Sequence, residues 1–458
     1  MSEISSRAFR DKQSGQVAID AVMPAYNPPG APGSIAHGPA TELDTGATGI
    51  GRVVVINDFS ARNGGCASLA LLSARLFRQL GIPVTFLCGD TGASAELDGL
   101  GIETISLGSE DIFTAARRRA VASGLHNIAA KALIANWIEK NDNEFTVYHV
   151  HGWAKIMSPA IFLALAPVAG RTVLHAHDFF LVCPNGSLYD YSSQSHCNRQ
   201  PLSLACIASN CDKRNYAHKL WRVARSTRLQ SILLHKKKPT PFSRILLPHE
   251  KMAPAFKRSG YPSELLHTLR NPVTPYTNER VRVEDQSEFF FIGQLDTGKG
   301  VEDAVEAAIL ANVSLTIIGD GPLKEQLRGC HPNISVVGWQ THSEIAQRIR
   351  AARGLLMPSR FVEPFGLVAV EASQSGIPVI LSDRACLASE MDAAGIGVAC
   401  DTSDIVAFAA ALRRLAGMPR DKIRMMSQRA YSRNVSLATA PEEWRDALIE
   451  HYRSLVTR

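Results

Sequence analysis

The chain has 458 residues, of which 45% are hydrophobic and 20% charged, and it carries a formal net charge of +6. That length is too great for one hydrophobic core and suits two α/β lobes with a cleft between them. The ordinary composition excludes a wholly disordered or fibrous chain, and nine cysteines are too sparse for a disulfide scaffold.

Residues 1–50 are the exception to that composition. They are rich in Ser, Gly, Pro and Ala, as in Tyr26-Asn27-Pro28-Pro29-Gly30, with no apolar period, so they are expected to be disordered. They also lack the basic start and apolar run of a secretory leader. No later segment approaches the roughly 18 to 20 apolar residues that span a bilayer. The expected setting is therefore cytoplasmic, with reduced thiols and at most peripheral contact at the inner face of a membrane.

From Arg52 onward, short β-branched runs alternate with segments of helical spacing, the pattern of parallel sheets covered by helices. Strands are expected at Val53 to Asn57, Val84 to Leu87, Glu103 to Ser106, Thr146 to Val150, Thr172 to His175 and Arg244 to Leu247. These make a first lobe over residues 51–270. The alternation restarts at Phe289 to Ile292 and continues through Val313 to Ile318, Ile334 to Val337, Gly354 to Met357, Pro378 to Leu381 and Gly397 to Cys400, giving a second lobe over 271–440. The polar stretch Thr274 to Ser287 reads as the hinge. Residues 441–458, around Trp444, read as a helix packing back towards the first lobe.

The sharpest signal is Met357-Pro358-Ser359-Arg360-Phe361-Val362-Glu363-Pro364-Phe365-Gly366-Leu367-Val368-Ala369-Val370-Glu371-Ala372. A strand ends at Met357, a loop with Pro and Gly follows, and a helix starts near Gly366. The backbone N–H groups of Phe365, Gly366, Leu367 and Val368 then point into the space beyond the strand ends. Such a helix start favours an anion by roughly 0.3 to 1 kcal/mol, more when partly buried. Glu371, one turn into the helix, suits a pair of adjacent ribose hydroxyls, and Glu363, before the helix, would face a sugar. The competing interpretation makes them a solvated loop acid and a helix-surface acid.

This string resembles the signature of the retaining glycosyltransferases of family 4, whose GT-B fold places two Rossmann-like lobes across a cleft. The signature is two glutamates separated by seven residues around a Phe-Gly turn. The resemblance extends to Gly376-Ile377-Pro378-Val379-Ile380, Phe291-Ile292-Gly293-Gln294-Leu295-Asp296-Thr297-Gly298-Lys299-Gly300 and Ile317-Ile318-Gly319-Asp320-Gly321-Pro322-Leu323, and it covers residues 50 to 455. It implies that Glu371 binds the donor ribose, that Glu363 touches the transferred sugar, and that Lys299 binds the diphosphate. It implies transfer with retention of configuration, and the bacterial exopolysaccharide and lipopolysaccharide enzymes are the nearest type. One position departs: the family usually has Arg where this chain has Gln294. An uncharged donor there leaves the leaving group to Lys299 and the helix start, with Arg360 as a candidate replacement.

On the first lobe, Asn63-Gly64-Gly65 follows the first strand, and Gly64 and Gly65 would let backbone approach a phosphate or sugar, though a plain tight turn explains them as well. The three-glycine dinucleotide fingerprint and its ribose acid are absent, which argues against a nicotinamide-dependent oxidoreductase. His149-Val150-His151 and His175-Ala176-His177-Asp178 end two strands at the carboxyl edge of the sheet. By the family resemblance His151 lies near the transferred sugar and acceptor, with Asp178 a second candidate. A satisfied structural histidine is the alternative for each. No general base stands out, which fits a reaction whose departing diphosphate takes the acceptor proton.

Cys183, Cys197, Cys206 and Cys211 fall in one Pro-, Asn- and Ser-rich insertion, residues 183–211. Four soft ligands in a loop without a core suit a structural zinc, although the irregular spacing equally fits buried or free thiols. Residues 212–238 carry nine Lys or Arg against one acid, interleaved with Tyr216, Leu220 and Trp221. This is either a surface for anionic membrane or an ordinary solvated helix face. Nucleic acid is disfavoured because no binding module accompanies the charge. No metal is expected for catalysis, since the second lobe offers no acidic pair to hold Mg²⁺ on a diphosphate.

The expectation is a hexosyltransferase that moves a sugar from a nucleotide-sugar donor to a glycan or lipid-linked glycan acceptor in cell-surface polysaccharide biosynthesis, without a required cofactor. Its rivals are a catalytically silent nucleotide-sugar-binding homologue, suggested by Gln294, and another GT-B enzyme such as a phosphorylase or an epimerase.

Overall fold

The structure, a computed structural model, describes residues 48–235 and 239–456. Most of the N-terminal segment and the run Lys236 to Lys238 lie outside the described residues.

The first lobe is a seven-stranded parallel sheet. Its strands are β1 (Arg52–Asn57), β2 (Val84–Cys88), β3 (Glu103–Ser106), β4 (Thr146–Val150), β5 (Thr172–His175), β8 (Arg244–Leu247) and β9 (Leu266–Thr268), in spatial order β3-β2-β1-β4-β5-β8-β9. A two-stranded hairpin, β6 (Tyr189–Asp190) and β7 (Ser195–His196), lies in the insertion between β5 and β8. The second lobe is a six-stranded parallel sheet of β10 (Glu288–Ile292), β11 (Leu315–Ile318), β12 (Ile334–Gly338), β13 (Ala352–Met357), β14 (Val379–Ser382) and β15 (Gly397–Cys400), ordered β12-β11-β10-β13-β14-β15. Both orders reverse direction after their first strand, at β1/β4 and at β10/β13. In open α/β sheets a crevice forms at that reversal, beyond the carboxyl ends of the strands.

Burial on both faces explains why the strands read as continuous apolar runs. In β1, Val53 and Val55 face a core shared with helix α1 (Gly65–Gln79), while Val54 and Ile56 face a second core with Trp137 and Phe162. One further strand, β9, escapes sequence detection because three residues carry no period.

The last helix, α5 (Pro441–Val456), follows the second lobe but buries its apolar face in the first. Trp444, Leu448, Ile449, Tyr452 and Leu455 recur on one helical stripe and join the core of α1 and β1. Arg244 at the start of β8 reaches His451 and Ser454 of the same helix.

The stretch Thr274 to Ser287 is not the hinge that its polarity suggests. Tyr276, Val281 and Val283 are buried in the second lobe's core, and Arg280 pairs with Glu284 at 2.7 Å. Its charges satisfy one another, so a polar sequence can sit on a packed surface. The chain instead crosses between lobes just before it, where Leu269 belongs to the first core and Val273 to the second. The return crossing runs alongside: Pro272 and Thr439 form a parallel bridge, and Val273 N–H donates to the Thr439 carbonyl at 3.2 Å.

Candidate functional site

On the second lobe, β13 delivers the chain to a loop ending at Gly366, whose φ is +79°. A Cβ there would stand 2.8 Å from Met357 Sδ, so glycine satisfies both the left-handed backbone and the space. Helix α4 (Leu367–Gln374) begins immediately after, with no side chain capping it. Its first amides therefore remain directed at the crevice, next to the buried Phe365.

Glu363 lies in the loop before this helix. It accepts hydrogen bonds from Lys299 Nζ at 2.8 Å and from Ser359 Oγ at 2.8 Å. Lys299 comes from the loop after β10, where Asp296 caps a short turn by accepting from the Lys299 amide at 2.9 Å, and its ammonium also sits 5.0 Å from the centre of the Phe361 ring. The two loops that flank the β10/β13 reversal thus bring a cation and a carboxylate together at the helix start. Gln294, on the same β10 loop, is exposed.

Glu371, on α4, hydrogen-bonds with Tyr276, and burial raises its carboxyl to about 7 against the opposing pull of that hydroxyl. Tyr276 was hidden from sequence reasoning inside the supposed hinge. Arg360 does not replace the missing arginine. Its guanidinium is held by Asp303 through two bonds of 2.6 Å, with Glu302 3.9 Å away, so its charge is already balanced on the far side of the loop.

The first lobe faces this site. Gly64 has φ +92° and precedes α1, and a Cβ on Gly65 would stand 3.3 Å from Leu367 Cδ1. Beside it lies a cleft of about 580 Å³, open to solvent, lined by Asn57, Cys66, His151, Lys155, Asp178 and Phe180 among others. His151 is buried, with Nδ1 2.9 Å from His177 Nε2 and Nε2 3.4 Å from Ser73 Oγ. Asp178 is exposed at the cleft mouth and accepts from the Phe180 amide at 2.8 Å, and partial desolvation by the surrounding cleft raises its carboxyl. Asp58, which the sequence gave no reason to single out, is buried and accepts three backbone amides, from Lys155, Ile156 and Met157, at 2.7 to 2.9 Å. It fixes the loop that carries Lys155 to the cleft.

Of the two readings of the cysteine insertion, the side-chain positions match separate thiols rather than a gathered zinc set. Among the described residues no three of Cys183, Cys197, Cys206 and Cys211 bring their sulfurs within 4.8 Å of one another. Cys183 donates to Asn185 Oδ1, Cys197 lies beside Arg199, and the ammonium of the buried Lys219 stands between Cys211 at 3.0 Å and Cys206 at 3.7 Å. A cation occupies the place where two of the thiols converge.

The basic segment also departs from expectation. Helix α2 (Tyr216–Leu233) turns Lys219, Arg222 and Arg225 inward. Arg222 pairs with Asp212 at 3.0 Å, and Arg225 donates to the carbonyls of Gly124 and Ala154. Only part of its charge is left on the surface, with Tyr216 and Leu220 exposed beside it.

Residues 275–433 match the family model described as "Glycosyl transferases group 1". Glycogen synthase of Mycobacterium tuberculosis is 31% identical over 156 residues, which is 32% of this chain and 37% of that protein, so the chain spans little more than a third of the curated relative it matches. Among solved structures, Alr3699/HepE of Anabaena in complex with UDP and glucose has a TM-score of 0.60 at 16% identity, covering 88% of this chain and 99% of that one. Sucrose-phosphate synthase from Thermosynechococcus elongatus has a TM-score of 0.64 at 16% identity, covering 89% and 99%. The fold is GT-B, two Rossmann-like lobes facing across a cleft, and the matched segment is the second lobe.

Proposed function

We propose that the protein is a retaining glycosyltransferase that carries a sugar from a nucleotide-sugar donor on the second lobe to an acceptor entering from the first. The observation that carries this is the Lys299–Glu363 pair at the uncapped start of α4, directly opposite Gly65. Lys299 and the α4 amides balance the donor diphosphate, in place of the arginine that Gln294 lacks. Glu371 grips the ribose hydroxyls, and Glu363 orients the transferred sugar while holding the lysine. The bond from the anomeric carbon to diphosphate breaks as the acceptor oxygen bonds to the same face. The acceptor proton passes to the departing diphosphate oxygen. His151 and Asp178 line the acceptor side. Closure of the two lobes excludes water that would otherwise capture the sugar.

The acceptor class that fits is a glycan or lipid-linked glycan of cell-surface polysaccharide, met in the cytoplasm at the inner face of the membrane. Support comes from the exposed Tyr216 and Leu220 near Lys213 and Arg214. UDP-glucose is the donor to try first, because the Anabaena neighbour was solved with UDP and glucose. The test is a mass-spectrometric screen of nucleotide-sugars with candidate acceptors, the anomer of any product assigned by NMR. A new glycosidic product that vanishes in Glu363→Ala supports the reading. Donor binding without turnover would establish instead the silent homologue that Gln294 favours, and sugar phosphate or an isomerised donor would point to a phosphorylase or epimerase.

A further inference from the structure

The alternation of β4 and β5 places His149, His151 and His175 on one face of the first sheet, beneath the cleft. Their exposures are 0%, 3% and 1%. Each can offer a ring nitrogen such that the three atoms lie within 4.8 Å of one another. Buried polar nitrogens are almost always paired, yet His149 Nε2 has no hydrogen-bond partner, and His175 has none beyond the neighbouring Asn271 side chain.

We propose that these three histidines form a binding site for a late divalent transition-metal ion of the zinc, nickel and copper group. Imidazole is the ligand those ions prefer, whereas Mg²⁺ and Ca²⁺ select oxygen. With metal–nitrogen bonds of about 2.0 to 2.1 Å, two imidazoles on one tetrahedral ion have ring centres roughly 5 to 6 Å apart. The His149–His175 and His151–His175 ring centres are 5.6 and 5.4 Å apart. His149 and His151 are closer, at 3.9 Å, so these two rings must part slightly to receive the ion. Outside the triad, Tyr452 Oη lies 2.6 Å from His149 Nδ1, the kind of contact that fixes a ligand's tautomer and leaves Nε2 for the metal.

A second group, His249, Glu250 and Glu390, serves as the contrast. There Glu390 is paired with Arg270 at 2.8 Å, and both His249 nitrogens already have partners, Glu390 Oε1 and the Lys251 amide. Its charges and hydrogen bonds are satisfied without an ion. In the histidine triad His149 Nε2 is left without a partner, while the two His151 nitrogens contact His177 and Ser73 and must release one of them to an ion.

The test uses the full chain, stripped with chelator and titrated with Co²⁺ and then Zn²⁺. One equivalent should bind, with visible d–d absorption and no thiolate charge-transfer band. His175→Gln should weaken binding at least tenfold and Tyr452→Phe by about tenfold, as loss of an outer partner does. Glu390→Gln should leave it unchanged. X-ray absorption at the zinc edge of the unmutated protein gives a readout that needs no variant: nitrogen neighbours near 2.0 Å support the site, and sulfur near 2.3 Å overturns it in favour of the cysteine insertion. Absence of stoichiometric binding, or binding kept in a folded His175→Gln chain, overturns it equally.

Discussion

Gly65 and Leu367 meet across the cleft: a methyl group on the glycine would stand 3.3 Å from the leucine's Cδ1. The start of α1 in one lobe is thereby set against the start of α4 in the other. A contact that tight asks one of the partners to yield by a few tenths of an ångström. Gly65→Leu is therefore expected to hold the lobes apart and lower transfer about tenfold or more, because small misplacements of reacting groups are costly. Thermal unfolding should change little, which separates this effect from misfolding.

The Lys299–Glu363 pair gives a second expectation. Lys299→Met removes the side-chain cation proposed to meet the leaving group and leaves Glu363 with its Ser359 hydrogen bond. A loss of about 10² to 10³ in kcat is expected, in the range found for single transition-state donors. Glu363→Gln, which keeps the shape and frees the lysine, should cost less in nucleotide binding than in turnover. Isothermal titration with UDP alongside steady-state kinetics checks both.

Glu371 ties function to pH. Its carboxyl is raised from 4.5 to about 7 by burial, so the folded protein holds that proton where the unfolded chain has released it. The stability it contributes is full below about 4.5 and is lost as pH rises towards and through 7. Glu371→Gln should therefore melt progressively higher than the unmutated chain between pH 4.5 and 7, with a constant difference above that. The proposed grip of Glu371 on the ribose hydroxyls uses the ionised form, so on that reading UDP affinity should strengthen as pH rises through about 7 and should lose that dependence in the variant.

Lys219 is fully buried, and among the described residues no carboxylate pairs with it; its partners are two sulfurs. Burial alone would lower its ammonium, but Cys211, Cys206 and Cys183 together outweigh that and raise it above the ordinary lysine value. Lys219→Met removes this charge-assisted partner and is expected to destabilise by about 1.5 to 3 kcal/mol, read from the urea midpoint.

Trp444 anchors α5 in the first lobe's core with no exposed surface. Trp444→Ala should cost about 3 to 5 kcal/mol, and the first lobe should lose more protection in hydrogen exchange than the second.

The sequence displayed the strands well because both sheets are parallel and covered on both faces, which writes them as unbroken runs such as Val53-Val54-Val55-Ile56. It displayed Glu363 and Glu371 because a strand end, a forced glycine and a helix start must be consecutive. What it hid depends on partners distant in the chain. Polar Thr274 to Ser287 reads as a linker until Arg280 is seen to find Glu284 and Tyr276 to find Glu371. Arg360 reads as a spare cation until Asp303 takes it, and the basic residues of α2 read as surface until Arg225 reaches the carbonyls of Gly124 and Ala154. Asp58 carries no motif at all, because its role is to accept amides from a loop about a hundred residues later.

The isolated bridge between Pro272 and Thr439 sets the two crossings between the lobes side by side. A single tether allows rotation about its own axis, whereas two paired crossings resist twisting and yield mainly to bending across their width. The crossings are further tied by Arg270 and His249 of the first lobe, both bonded to Glu390 of the second, so twisting between the halves is resisted there as well. Such a joint lets the jaws part for exchange of reactants and returns the same backbone atoms to the same opposing positions on every cycle, so alignment of the two helix starts is stored in the joint rather than recreated by each ligand.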